Sequence, residues 1–195
     1  SDRLKSSLDV MGLTVESGVK IMSDLVCTYA DQASEEPIAC PTLGFLQQDI
    51  AIGKWVKMPQ ALQDYVSNTS KKSLIFIPRI VIEVKYKGVD SHPVMTYSEI
   101  SGRLKAVYQN LRYYFLIRCG SKDPVTLERH GRNLDQIYQL VRARGKKSKQ
   151  WPGRYKPGDL DIHLRDEKVR SGIDELVNDI KVDLERPKVR TTEPM

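Results

Sequence analysis

Ile80-Val81-Ile82-Glu83-Val84-Lys85-Tyr86-Lys87 is an apolar, β-branched run that reads as a buried strand, yet it carries an acid and a base two residues apart. Side chains alternate along a strand, so Glu83 and Lys85 point to one face. Burying two charges together costs several kcal/mol per ion unless they pair or bind something. The plain alternative is an ion pair at a wet strand end. At average residue usage a Glu-x-Lys triplet arises roughly once by chance in a chain of this length, so the setting of the triplet has to supply the specificity.

The strand sits in a chain of 195 residues, enough for one domain with a sizeable core. With 40% hydrophobic and 29% charged residues the composition is that of a globular protein rather than a disordered one. No apolar run reaches membrane-spanning length, and no signal-peptide pattern is present, so neither a membrane nor a secretory route is expected. Cys27, Cys40 and Cys119 are odd in number and lack CxxC spacing. They argue against a disulfide framework or a zinc site and for a reducing, intracellular setting, cytoplasmic or nuclear. The net charge of +6 suits a polyanionic partner. The absence of an initial Met and the polar C-terminal tail give the chain the look of a piece excised from a larger polypeptide.

On the N-terminal side, Leu4, Leu8, Met11, Val15, Val19, Met22, Val26 and Tyr29 recur at spacings of three and four, which predicts helix over 2–31, with a break near Gly12 and Thr14. Glu16 lies beside that seam. Residues 32–41 read as a loop. Leu43–Val56 reads as strand or hairpin, with Asp49 set among Ile50 and Ile52 although Asp is depleted in strands; a turn or edge aspartate is the plain alternative. A polar segment, 57–73, with a short helix near 59–66, separates two strands that can still be neighbours. The strand over 74–86 is interrupted by Pro78, which suits an edge or a bulge.

On the C-terminal side, Thr96-Tyr97-Ser98-Glu99 has a capping-box pattern, and Tyr97, Ile100, Leu104, Val107, Tyr108 and Leu111 predict a helix over 97–112. Tyr113–Cys119 reads as a buried strand. Asp123-Pro124 starts a helix that Leu127, Leu134, Ile137, Tyr138 and Val141 carry to about Arg144. Residues 166–185 form an amphipathic helix. Strands alternating with helices give an α/β core with at least one crossover connection.

The chemistry-bearing residues are Asp49, Glu83 and Lys85. Two carboxylates from adjacent strands can hold one Mg²⁺, a hard cation that takes oxygen ligands and keeps its waters. A lysine on the same face can orient a water for in-line attack on phosphorus. A second feature is independent of the first. Arg142, Arg144, Lys146, Lys147, Lys149, Arg154 and Lys156 stand without an acid between them, with Trp151 and Tyr155 interleaved. Such a loop can release counterions from phosphates and stack on bases; the bland reading is a solvated connection. His92, His130 and His163 do not cluster in sequence.

Helix, strand with Asp, strand with Glu-x-Lys, helix, strand: over roughly residues 14–119 this order resembles the PD-(D/E)XK nuclease superfamily, whose fold is a restriction-endonuclease-like mixed β-sheet flanked by helices. The resemblance implies Asp49 as first acid, Glu83 as second acid and Lys85 as catalytic lysine, with Glu16 as an extra metal or water ligand. Gln48 rather than Pro precedes Asp49, and 34 residues (83 minus 49) part the two acids. Asp31 and Asp64 stay open as substitutes for the first acid. Gln109-Asn110-Leu111-Arg112-Tyr113 also resembles a Q-x-x-x-Y motif of one branch but straddles a helix end.

The resemblance implies a metal-dependent endonuclease (phosphodiester hydrolase) using Mg²⁺, with Mn²⁺ able to substitute. The expected partner is nucleic acid, with DNA ahead of RNA, in a restriction-type homodimer or as the cleavage domain of a larger protein. Residues 1–145 would form the nuclease-like core. Residues 146–195 would add a basic loop and a C-terminal helix, with Arg142 and Arg144 opening the DNA-binding cluster. Three alternatives stay open: a non-catalytic nucleic-acid-binding module on the same fold, a viral-type RNA endonuclease domain, and a partner-binding domain using the helix over 166–185.

Overall fold

The computed structural model describes residues 8–30, 38–63, 65, 74–85, 91–120, 124–142 and 167–185. Five strands form one mixed sheet in sequential order: β1 (Thr14–Ala30), β2 (Ile38–Lys57), β3 (Leu74–Lys85), β4 (Arg112–Gly120) and β5 (Gln136–Arg142). The helices whose bounds fall within the described residues are α1 (Gln60–Gln63), α2 (Ser91–Val107), α3 (Pro124–His130) and α4 (Glu167–Glu185). β1, β2 and β3 are antiparallel neighbours. β3, β4 and β5 run parallel, so α2 and α3 lie on the two crossover connections. The architecture is an α/β mixed sheet flanked by helices, as the sequence predicts.

Two apolar layers cover the sheet. On one face Ile52, Ile80, Ile82, Tyr114 and Tyr138 meet Leu176, Ile180 and Leu184 of α4. On the other, Ala51, Phe76, Val81 and Tyr113 meet Leu104 and Tyr108 from α2 and the turn after it, while Phe115 and Ile117 meet Val94 and Leu127. β3 is central and buried on both faces, which explains its near-continuous apolar sequence. Two tyrosines fix α4 to the sheet: Tyr138 donates to Asp179 at 2.5 Å and Tyr114 donates to Asp183.

The structure corrects three elements. Residues 14–30 are strand β1, not helix. Gly18, at φ +61°, reverses the alternation. Val15 pairs with Ile52 of the α4 face, whereas Val19 and Ile21 pack into the α2 face, so the apolar spacing imitates a helix. The stretch 136–142 is strand β5 rather than the end of a helix. α3 stops at His130, where Gly131 accepts close contact from Leu134 and Ile137 side chains, and a turn leads to a parallel pairing with β4. α2 begins at Ser91, five residues before Thr96 (96 minus 91). Thr96 is therefore inside the helix, its hydroxyl donating back to the His92 carbonyl, and Pro93 falls in the first turn, where its missing N–H costs nothing.

Pro78 occupies a bulge, not an edge. The β2–β3 register shifts between Ile52 and Gly53, and Gly53 faces Pro78. A Cβ at Gly53 would stand 2.2 Å from the Ile77 carbonyl oxygen, so only glycine fits.

Candidate active site

Val81, Glu83 and Lys85 alternate onto the α2 face of the sheet, and the parallel pairing sets Glu83 beside Phe115 and Lys85 beside Ile117. The pair thus occupies the carboxyl end of a strand in the parallel half of the sheet. That is where open α/β sheets place their reactive groups. Glu83 is 4% exposed and Lys85 donates to its Oε1 at 2.5 Å.

Asp49 enters from β2. The β2–β3 ladder ends at Ile50 opposite Ile82. One residue further, the strands part and the Asp49 carboxylate takes over, accepting the Val84 N–H on Oδ2 at 2.8 Å. Asp49 itself is exposed. The residue before it, Gln48, is buried and accepts the Tyr113 hydroxyl at 2.8 Å. The bond gives the buried Gln48 Oε1 and the buried Tyr113 hydroxyl a partner each.

The third wall is Tyr97 of α2. Its ring stacks on Phe115, with centroids 5.3 Å apart, and lies 4.5 Å below Lys85 Nζ. A cation over an aromatic face is held by the ring quadrupole. Sequence reasoning put Tyr97 only in the apolar stripe of a helix. Its place in the second turn of the helix that follows Glu-x-Lys is the signal that could have found it.

Electrostatics bind these groups into one unit. Burial raises the Glu83 pKa, the hydrogen bond from Lys85 opposes that, and the Asp49 charge raises it again. Burial works against the Lys85 charge, but the bonds to Glu83 and then Tyr97 outweigh it and hold the ammonium above its ordinary value. Burial raises the Tyr97 phenol. The arrangement is two neighbouring carboxylates, one buried and one open to solvent, with a cation beside the buried one.

Glu16 does not join them. It lies on strand β1, not on a helix, opposite Ala51, and its Oε1 accepts Trp55 Nε1 at 2.9 Å. Among the described residues, no group of three or more His, Cys, Asp or Glu side chains stands as a metal cluster. The two carboxylates still suit Mg²⁺, which binds through one or two carboxylates and retains waters. A cation would also relieve the mutual repulsion that raises Glu83.

Arg142 closes β5 by its backbone. Arg144, Lys146, Lys147, Lys149, Trp151, Arg154 and Lys156 lie outside the described residues, as do Asp31, Asp64 and His163. His92 sits in the first turn of α2 and His130 ends α3. Among the described residues no helix is long and apolar enough to cross a membrane.

No family model matches the chain, and no curated protein matches it. A solved structure of the native BbvCI A2B2 tetramer at low resolution is similar, with a TM-score of 0.48 and 16% identity. The match covers 86% of this chain and 60% of that one, so this chain spans less than two thirds of its length.

Proposed function

We propose that this chain is a metal-dependent nucleic-acid endonuclease that hydrolyses phosphodiester bonds, with DNA as substrate ahead of RNA. The observation that carries the reading is the Glu83–Lys85 pair at 2.5 Å at the carboxyl end of β3, with Asp49 from the neighbouring strand perturbing the same carboxylate. Asp49 and Glu83 would hold Mg²⁺, or Mn²⁺ in its place. The bound ion would supply charge neutralisation at the phosphate oxygens. Lys85 would position the attacking water and Tyr97 the lysine. Glu16 is left out of the ligand set because Trp55 holds it.

The basic cluster Arg142, Arg144, Lys146, Lys147, Lys149, Arg154 and Lys156, with Trp151, is the proposed nucleic-acid contact. Residues 1–145 would be the cleaving core and 146–195 its basic loop and closing helix, in a homodimer or within a larger protein. A second reading, a non-catalytic binding module, is favoured by the engagement of Lys85 with both Glu83 and Tyr97.

The test is a nuclease assay on supercoiled plasmid and on single-stranded RNA, with Mg²⁺, Mn²⁺ or EDTA, comparing the parent chain with Lys85→Ala. Metal-dependent cleavage that the mutant lacks is the expected result, and the preferred nucleic acid decides between a DNA and an RNA enzyme. No cleavage of either, together with no Mn²⁺ binding by calorimetry, gives the binding module.

A further inference from the structure

A cavity of about 760 Å³ lies at the other end of the sheet, between β2, the start of β3 and the turn from α2 into β4. Arg79, on its wall, and Glu83 are four residues apart along β3, roughly 13 Å at strand rise. The cavity therefore serves no group of the candidate active site. Its volume is that of a small-molecule site, on the order of 300–1,000 Å³.

The lining has three parts with different chemistry. Lys54, Arg79 and Arg112 bring three positive charges against the single carboxylate of Asp183. That carboxylate already accepts Tyr114 and lies 3.6 Å from Arg112 Nε, and Arg112 is also braced by Asp135 at 2.7 Å. Arg79 is held in place by the Asp183 backbone carbonyl at 3.3 Å. The two arginines are thus preorganised, and Lys54, exposed at the rim, adds a further cation to a lining whose one acid is Asp183. Leu13, Ile77, Pro78 and Leu111 add an apolar surface; the Gly12 turn, at φ +58°, delivers Leu13 to it. Gln109 and Asn110, both exposed, place amides at the mouth, and each amide offers donors and an acceptor.

We infer that this cavity binds a small organic anion of the nucleotide class: a phosphate held by Lys54, Arg79 and Arg112, a flat ring against Leu13 and Pro78, and the polar edge of the ring read by Gln109 and Asn110. Fixed guanidinium forks suit phosphate oxygens, and an apolar lining with few polar groups suits a base. The site is independent of the proposed cleavage chemistry.

The test is calorimetric titration of the full chain with adenosine 5′-monophosphate, adenosine and inorganic phosphate. Two exposed mouth residues supply variants that leave the fold intact, Lys54→Glu and Gln109→Ala, and Glu83→Gln marks the other site. The nucleotide should bind saturably and at least tenfold more tightly than either fragment. Lys54→Glu should weaken it at least tenfold, Gln109→Ala severalfold, and Glu83→Gln not at all. Absence of saturable binding at millimolar nucleotide overturns the inference. So does binding that Lys54→Glu leaves unchanged, binding that Glu83→Gln abolishes, or phosphate that binds as well as the nucleotide.

Discussion

Asp49 on β2 and Val84 on β3 are joined by a hydrogen bond in which the Val84 N–H donates to the Asp49 carboxylate at 2.8 Å. A side chain thus continues a ladder that the backbone has abandoned. It ties one proposed ligand to the strand that carries the other.

Asp49→Asn keeps an oxygen for the Val84 N–H and removes the charge, so the fold should survive while Mn²⁺ binding and cleavage fall at least a hundredfold. Asp49→Ala should in addition lose about 1 kcal/mol of stability with the hydrogen bond. Urea melts and calorimetry on the two variants separate these effects; equal Mn²⁺ affinity in parent and Asp49→Asn would remove Asp49 from the ligand set.

Alkaline pH should unfold the chain in a defined window. Burial raises the phenols of Tyr108, Tyr113, Tyr114 and Tyr138, Tyr108 to about 12. A tyrosine whose pKa is raised on folding is ionised more readily in the unfolded chain. Stability is therefore flat below about pH 10, the unfolded value, and falls as pH rises from there toward the folded values. At pH 11 each such phenol should cost about 1.4 kcal/mol. Denaturant melts between pH 8 and 11, read beside tyrosinate absorbance, would show stability lost in step with ionisation. A flat profile to pH 11 would contradict it.

Tyr108 offers a gain as well. Its hydroxyl is buried with no hydrogen-bond partner among the described residues. Tyr108→Phe removes that unmet group and should raise stability by about 1 kcal/mol, seen as a higher urea midpoint with an unchanged slope.

Gly53→Ala should be among the most damaging small substitutions. Its Cβ would meet the Ile77 carbonyl oxygen at 2.2 Å and the Phe76 ring at 2.9 Å. Overpacking of this kind costs about 1–3 kcal/mol or more. Thermal unfolding should shift down by several degrees, and a neutral result would mean that the bulge relaxes around it.

Charge reversal at Lys146 and Lys147 should weaken binding to all nucleic-acid sequences about equally and flatten the salt dependence, since phosphate contacts carry no sequence information. Filter binding at several salt concentrations would show it. A loss confined to one sequence would instead mean that these lysines read bases.

Particular residues explain how much of this could be read in advance. β3 announced itself because burial on both faces demands an unbroken apolar run, and any charge in such a run stands out; Glu83 and Lys85 were found that way. β4 was legible for the same reason, and α4 because its apolar residues keep one helical period along a single face. β1 was not, because the Gly18 reversal turns period two into something close to period four. β5 was masked by the chance spacing of Leu134, Ile137, Tyr138 and Val141, and only its pairing with β4 makes it a strand. The role of Tyr97 depends on where α2 lands over β4, and its only trace in the sequence is its place in the helix after Glu-x-Lys. Glu16 is held by Trp55, four residues along β2 from Ala51, which faces it; that contact has no local signature.

β1 and β2 stay paired from Thr14 opposite Gly53 as far as Ala30 opposite Ile38, but β2 leaves β3 at Ile50. Beyond that point the two strands form a ribbon that projects past the central strand, steadied on α2 by Arg103 and Asp24. The ribbon is tied down twice beyond the parting, at Asp24 and where the Leu43 N–H donates to the Tyr65 carbonyl. At the parting itself the Asp49 carboxylate is the rivet that keeps β2 joined to the central strand.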